Sequence, residues 1–106
     1  MLSTSDRKVV ASLARRVRER FQGARIWAFG SRVRGDATWE SDLDVCVVFD
    51  HLDPKVEKTL SDIAWETGFE NGLVFNTIAF ARDDFEHGPA SDCSLVAAIL
   101  REGVPV

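Results

Sequence analysis

Two apolar runs, each bounded by polar residues at one end, most constrain how this chain of 106 residues can fold. Residues 25–29 are followed by the pair Gly30-Ser31, and residues 43–49 follow Asp42 directly. Short runs rich in branched and aromatic side chains are typical of strands. The second run is apolar on both faces, so we expect it to be a central strand of a sheet.

The turn that ends the first run is suited to binding phosphate. A Gly-Ser turn after a strand offers backbone N–H groups and a hydroxyl to phosphate oxygens, although the same pair also ends ordinary strands. Arg32 and Arg34 lie in this turn and can add charge-assisted hydrogen bonds. Either arginine can equally pair with Asp36 or Glu40, and only one of the two need face a ligand.

Asp42 and Asp44 are suited to binding a cation. Residues i and i+2 of a strand project from the same face, so the two carboxylates can share one hard divalent ion. The alternative interpretation is a capped entry to a strand. Two carboxylates on one face of a buried strand repel each other unless a cation neutralises them, and this favours the metal site.

The order Gly30-Ser31, Arg34-Gly35 and then Ser41-Asp42-x-Asp44 before an apolar strand resembles the minimal nucleotidyltransferase domains of the DNA polymerase beta-like superfamily. The resemblance implies that Gly30, Ser31, Arg32 and Arg34 bind the phosphates of a nucleoside triphosphate, expected to be ATP. It implies that Asp42 and Asp44 are catalytic and hold Mg²⁺ or Mn²⁺. The expected reaction transfers a nucleoside monophosphate to an acceptor and releases pyrophosphate.

The sequence departs from this family in one respect. Catalytic members carry a third carboxylate on the next strand, whereas residues 72–80 contain no Asp or Glu. Asn76 is the polar residue best placed to face the Asp pair and is our tentative third metal position. Glu70, Asp83 and Asp84 are alternatives, each needing a different approach to the site.

The resemblance also implies a second class of function. Similar small domains are often encoded beside a helical HEPN-type protein, which they neutralise, sometimes by attaching AMP. The chain is then a weakly catalytic or non-catalytic antitoxin, a binding module of a toxin–antitoxin pair. We expect a protein partner under either hypothesis.

Composition excludes several other classes. The net charge of −4 argues against general nucleic-acid binding. No apolar stretch approaches the ~20 residues of a membrane span, and the amino end lacks a signal-peptide segment, so we expect a cytoplasmic protein with a single domain over residues 1–106. Cys46 and Cys93 are expected to be reduced packing groups, and His51 and His87 to be loop or helix-end residues rather than metal ligands.

The remaining periodicity predicts the fold class. Helical spacing favours one helix over residues 5–21 and a second that begins at Asp53-Pro54 and ends between Gly68 and Gly72. A last helix is predicted to be capped by Ser91-Asp92, with Leu95, Val96, Ile99 and Leu100 facing inward. Residues 73–81 are predicted to be the third strand. We expect an α+β, or α/β-sandwich, fold with a small mixed sheet of three or more strands and helices packed on one side.

The three tryptophans receive separate interpretations. Trp27, in a strand, and Trp65, on a helix, are predicted to be core residues. Trp39 lies in the loop between the two motif halves, where it is either a loop residue or part of a surface for a base or a partner.

Overall fold

A computed structural model of the protein describes residues 2–35 and 42–106. Its helices are α1 (Thr4–Arg20), α2 (Ser31–Arg34), α3 (Pro54–Asn71), α4 (Arg82–Glu86) and α5 (Ser94–Glu102), with a 3₁₀ turn at Pro89–Asp92. Its strands are β1 (Arg25–Phe29), β2 (Leu43–Phe49), β3 (Phe75–Ala81) and β4 (Val104–Pro105).

The four strands form one mixed sheet in the order β3-β2-β1-β4. β1 is antiparallel to both β2 and β4, whereas β2 and β3 are parallel. The fold class and the central position of β2 are therefore confirmed. β3 lies at the edge of the sheet, with β2 as its only strand neighbour among the described residues.

Helices cover both faces of this sheet. Val45, Val47 and Phe49 of β2 pack against α1 and α3, as expected for helices on one side. Cys46 and Val48 face the opposite way and pack against α4 and α5, through Phe85, Val96 and Ile99. The expectation that all helices share one side is thus met only by the two long ones. A strand that is apolar on both faces needs cover on both.

Two element boundaries differ from the prediction. β3 begins at Phe75 rather than at residue 73, because Gly72 ends α3 in the left-handed region and Leu73 N–H still donates to Gly68 O. α5 begins at Ser94, and its cap is the sulfur of Cys93 rather than Ser91-Asp92. Those two residues belong to the preceding 3₁₀ turn.

Several side chains lie elsewhere than predicted. Trp27 is buried and stacks on Phe85, as expected, but Trp65 is exposed, and so are Leu95 and Leu100. On α3 the buried positions include Leu60 and Ala64, and residue 65 is rotated by about 100° from residue 64. Trp39 lies outside the described residues.

The predicted positions of the histidines and the unpaired state of the cysteines agree with the structure. Cys46 and Cys93 are both unpaired, and Cys46 is buried. His51 lies in a loop and His87 caps the end of α4. Among the helices the structure describes, none combines the length and the apolar character needed to cross a membrane.

Candidate functional site

The two motif halves meet where β1 ends and β2 begins. Gly30 caps the short helix α2 with φ of 82°, a conformation that favours glycine, and its carbonyl accepts hydrogen bonds from the N–H groups of Val33 and Arg34. A Cβ placed on Gly30 would lie 2.1 Å from Asp44 Oδ2. The Asp44 carboxylate therefore rests against the glycine of the turn, in the space that any side chain would fill.

Asp44 also meets the neighbouring strand. It lies in register with Asn76 of β3, whose Nδ2 donates a hydrogen bond of 2.9 Å to Asp44 Oδ1. Because β2 and β3 are parallel, both residues belong to the same edge of the sheet. The structure thus brings together Gly30, Asp44 and Asn76, as the sequence predicted. Asp42 is exposed and directly precedes β2.

The rest of the predicted phosphate turn is held by a contact that the sequence did not indicate. Ser31, half-buried, is the first residue of α2, where a backbone N–H has no intrahelical acceptor. Arg32 Nη1 donates to Asp6 Oδ1 of α1 at 2.8 Å, in a largely buried ion pair. Because this guanidinium already donates to Asp6, phosphate binding by Arg32 stays a prediction.

Asp6 is the residue that sequence reasoning missed. It occupies the buried stripe of α1 together with Val10, Leu13 and Val17, at helical spacing. A carboxylate on a buried stripe needs a cation or hydrogen-bond donor beside it. The position of Asp6 on this stripe was therefore the sequence signal that could have identified the contact. Arg34 is exposed, and its predicted pairing with Asp36 or Glu40 lies outside the described residues.

The alternative third carboxylates lie away from Asp44. Asp83 and Asp84 lie on α4, beyond the far end of β3. The strand from Asn76 to Ala81 alone spans about 17 Å. Glu70 accepts a hydrogen bond from Arg16 on α1 and raises the pKa of that guanidinium above its ordinary value. Among the described residues, no group of three His, Cys, Asp or Glu side chains is placed to hold a metal ion.

The residues present fit a single hard cation. Mg²⁺ in nucleotide sites is commonly held by one or two carboxylates together with phosphate oxygens, which matches the pair Asp42 and Asp44. The Asn76 amide turns its N–H, rather than its oxygen, toward Asp44. Asn76 therefore supports the Asp44 carboxylate in this structure, and its role as a metal ligand stays a prediction.

Comparisons with known proteins concern the family and the fold of the chain. A family model described as a nucleotidyltransferase domain matches residues 10–100. Among solved structures, a proposed nucleotidyltransferase from Sulfolobus solfataricus is similar with a TM-score of 0.59 and 17% sequence identity, over 92% of this chain and 76% of that chain. At this identity the likeness supports the fold alone. No curated protein matches the chain.

Proposed function

Because the chain belongs to the nucleotidyltransferase domain family, we propose that it binds a nucleoside triphosphate with Mg²⁺ and transfers the nucleoside monophosphate to an acceptor. The observation that carries the proposal is the approach of Gly30 to Asp44, where a Cβ would lie 2.1 Å from the carboxylate. A phosphate turn and a carboxylate are thereby held side by side.

Each residue of the site receives a role in binding or orientation. Ser31 offers its backbone N–H and hydroxyl to the terminal phosphates, and Arg32 and Arg34 supply positive charge beside them. Asp42 and Asp44 hold the divalent ion, which supplies charge stabilisation at the transferring phosphate and its leaving group. The hydrogen bond from Asn76 fixes the direction of the Asp44 carboxylate.

Transfer to the acceptor is the step that these residues support least. The acceptor oxygen attacks the α-phosphate, pyrophosphate leaves, and the acceptor proton must pass to a base or to water. The Asn76 amide cannot take that proton, and a positioned base commonly contributes ~10²–10⁴-fold in rate. We therefore propose slow transfer, or transfer that depends on a partner which completes the site.

A second candidate function follows from the same residues. An antitoxin-type module that binds and neutralises a HEPN-type partner needs little or no turnover, and Asn76 in place of a carboxylate favours it. The exposed aromatic residues Trp65 and Phe69 on α3 favour it as well. In both versions the bound nucleotide is ATP, the location is cytoplasmic and the partner is encoded nearby.

Calorimetric titration of ATP, with and without Mg²⁺, tests the nucleotide site. We expect wild type to bind ATP only with the metal, and Asp44→Asn to lose that binding. Asp62→Asn, which removes an exposed carboxylate on α3, is the matched control and should bind like wild type. Equal affinity for wild type and Asp44→Asn would refute the site.

Transfer of labelled AMP to a co-purified partner separates the two functions. Labelling that Asp44→Asn abolishes supports the enzyme. Neutralisation of the partner that survives Asp44→Asn without any labelling supports the binding module.

A further inference from the structure

The sequence of β3 lacks the residue types that usually protect an edge strand. Exposed edges are commonly blunted by charged residues or proline, yet residues 72–81 contain neither. Leu43 N–H donates to Val74 O, and in a parallel ladder this places the inward-pointing groups on the even-numbered residues of β3. The backbone groups of Phe75, Thr77 and Ala79 therefore point away from the sheet.

An apolar groove runs beside this edge, between α3 and β3. It encloses about 260 Å³, and its walls include Trp65, Phe69, Val74 and Thr77. The Trp65 and Phe69 rings stack with their centroids 5.3 Å apart, and both are largely exposed, at 71% and 75%, as is Val74 at 62%. Three large apolar side chains in one place exceed the single exposed residues that are normal on a protein surface.

The outer rim of the groove is acidic. Asp62, Glu66 and Glu70 succeed one another at i, i+4 spacing along α3, next to the aromatic pair. Lys58 pairs with Asp62, and Arg16 pairs with Glu70. Glu66, between them, also lies near Arg16 and helps to raise the pKa of its guanidinium. Three acidic side chains face two basic ones, so the rim keeps a net negative charge and favours an occupant that carries positive charge.

We propose that this surface, the β3 edge with its groove, binds an extended, positively charged segment of a partner protein that adds to the sheet as a further strand. Backbone hydrogen bonds to Phe75, Thr77 and Ala79 would supply affinity. Alternate apolar side chains would enter the groove beside Trp65 and Phe69, and Lys or Arg residues would approach Glu66. This mode of binding deepens the partner part of the proposed function and rests on it.

Charge argues against a second copy of this chain as the occupant. In a two-fold pairing of β3 with itself, each acidic rim would face the same surface of the other copy, and the whole chain carries a net charge of −4. A strand from a basic partner meets no such repulsion. Neighbouring strands lie about 4.8 Å apart, so the docked segment would run beside Asn76 and the nucleotide site.

Peptide selection tests the proposal without a known partner. A displayed library of random peptides of about twelve residues is selected on the wild-type protein, and the enriched peptides are synthesised and titrated. We expect alternating apolar residues with net positive charge, and affinities that fall about tenfold or more in Phe69→Glu and in Thr77→Pro. Leu100→Glu, an exposed apolar residue on α5, is the matched control and should bind like wild type.

Hydrogen exchange supplies a second readout, independent of whether Thr77→Pro folds. Bound peptide should slow exchange at the amides of Phe75, Thr77 and Ala79. No enrichment, enriched peptides that bind Phe69→Glu as well as wild type, or unchanged exchange in β3 would overturn the proposal. A wild-type dimer on sizing that Phe69→Glu dissociates would assign the surface to a second copy instead. Mg²⁺-dependent ATP binding should persist in Phe69→Glu, so a failed nucleotide site is recognised separately.

Discussion

The side-chain amide of Asn76 donates to Asp44 Oδ1 at 2.9 Å, across the parallel pair of strands that carries the candidate site. Where catalytic relatives are expected to carry a third carboxylate, this chain presents a hydrogen-bond donor. The hydrogen bond stabilises the Asp44 charge without metal. An amide carries no negative charge, however, so a second metal ion would lack one charged ligand.

Asn76→Asp should reverse this balance. Without metal, the new carboxylate loses the hydrogen bond and repels Asp44, so the melting temperature should fall below that of wild type. With Mg²⁺ and ATP the variant should gain more in melting temperature than wild type, because the metal neutralises the added charge. Asn76→Ala removes the donor without adding charge and is the control. A ligand-induced gain no larger than that of Asn76→Ala would show that position 76 does not reach the metal.

Gly30→Ala should destabilise the protein more than an equivalent change elsewhere. Gly30 and Gly72 both have positive φ, of 82° and 68°. Gly72 lies in the left-handed helical region, where alanine costs about 1–2 kcal/mol of backbone strain, whereas Gly30, with ψ of −159°, lies in a region that is essentially restricted to glycine. A Cβ at Gly72 meets no atom within 4 Å, whereas one at Gly30 must displace the Asp44 carboxylate. We expect a larger loss in the free energy of unfolding, measured in urea, for Gly30→Ala. It should also lose metal-dependent ATP binding, which Gly72→Ala should keep. Equal losses for the two variants would mean that Asp44 moves aside freely.

Cys46 should be an unreactive thiol in the folded protein. Burial raises its pKa from 9.0 to about 12, so the thiolate is scarce at neutral pH. Alkylation followed by mass spectrometry should label the half-buried Cys93 first and Cys46 only on unfolding. Comparable labelling of both thiols in native buffer would contradict the packing.

The same shift predicts a dependence of stability on pH. The unfolded thiol loses its proton near pH 9 and the folded one near pH 12, so the unfolded state binds fewer protons between these values. This contribution to stability is complete below pH 9 and declines as the pH rises toward 12. Cys46→Ala lacks the titrating group, and its unfolding free energy should decline less steeply over the same range.

Local signals carried the predictions that the structure confirms. The Gly-Ser turn, the Asp pair and the apolar run of β2 lie close together in sequence. The expectation that Asn76 faces Asp44 comes from the family resemblance, because strand periodicity alone sets neither the neighbour of β2 nor the register between the strands. The exposure of Trp65 could not be predicted in this way, because a tryptophan on a helix adds the same apolar signal whether it packs inward or stacks on Phe69. The cover of the second sheet face by α4 and α5 also depends on contacts between distant parts of the chain.

The ion pair between Asp6 and Arg32 is likewise a long-range contact, 26 residues apart in sequence, and it should position the phosphate turn. Both side chains are largely buried, so removing one partner leaves a buried charge and should cost about 1–3 kcal/mol in the free energy of unfolding.

A double-mutant cycle with Asp6→Asn and Arg32→Gln measures the coupling. The exposed pair Arg25 and Glu86, with its atoms 3.1 Å apart, is the matched control and should couple by no more than about 1 kcal/mol. Because the Asp6 contact holds α2 against α1, Asp6→Asn should also weaken Mg²⁺-dependent ATP binding, whereas Glu86→Gln should not. Coupling no greater than that of the control pair, with ATP affinity unchanged in Asp6→Asn, would show that the turn keeps its position without α1.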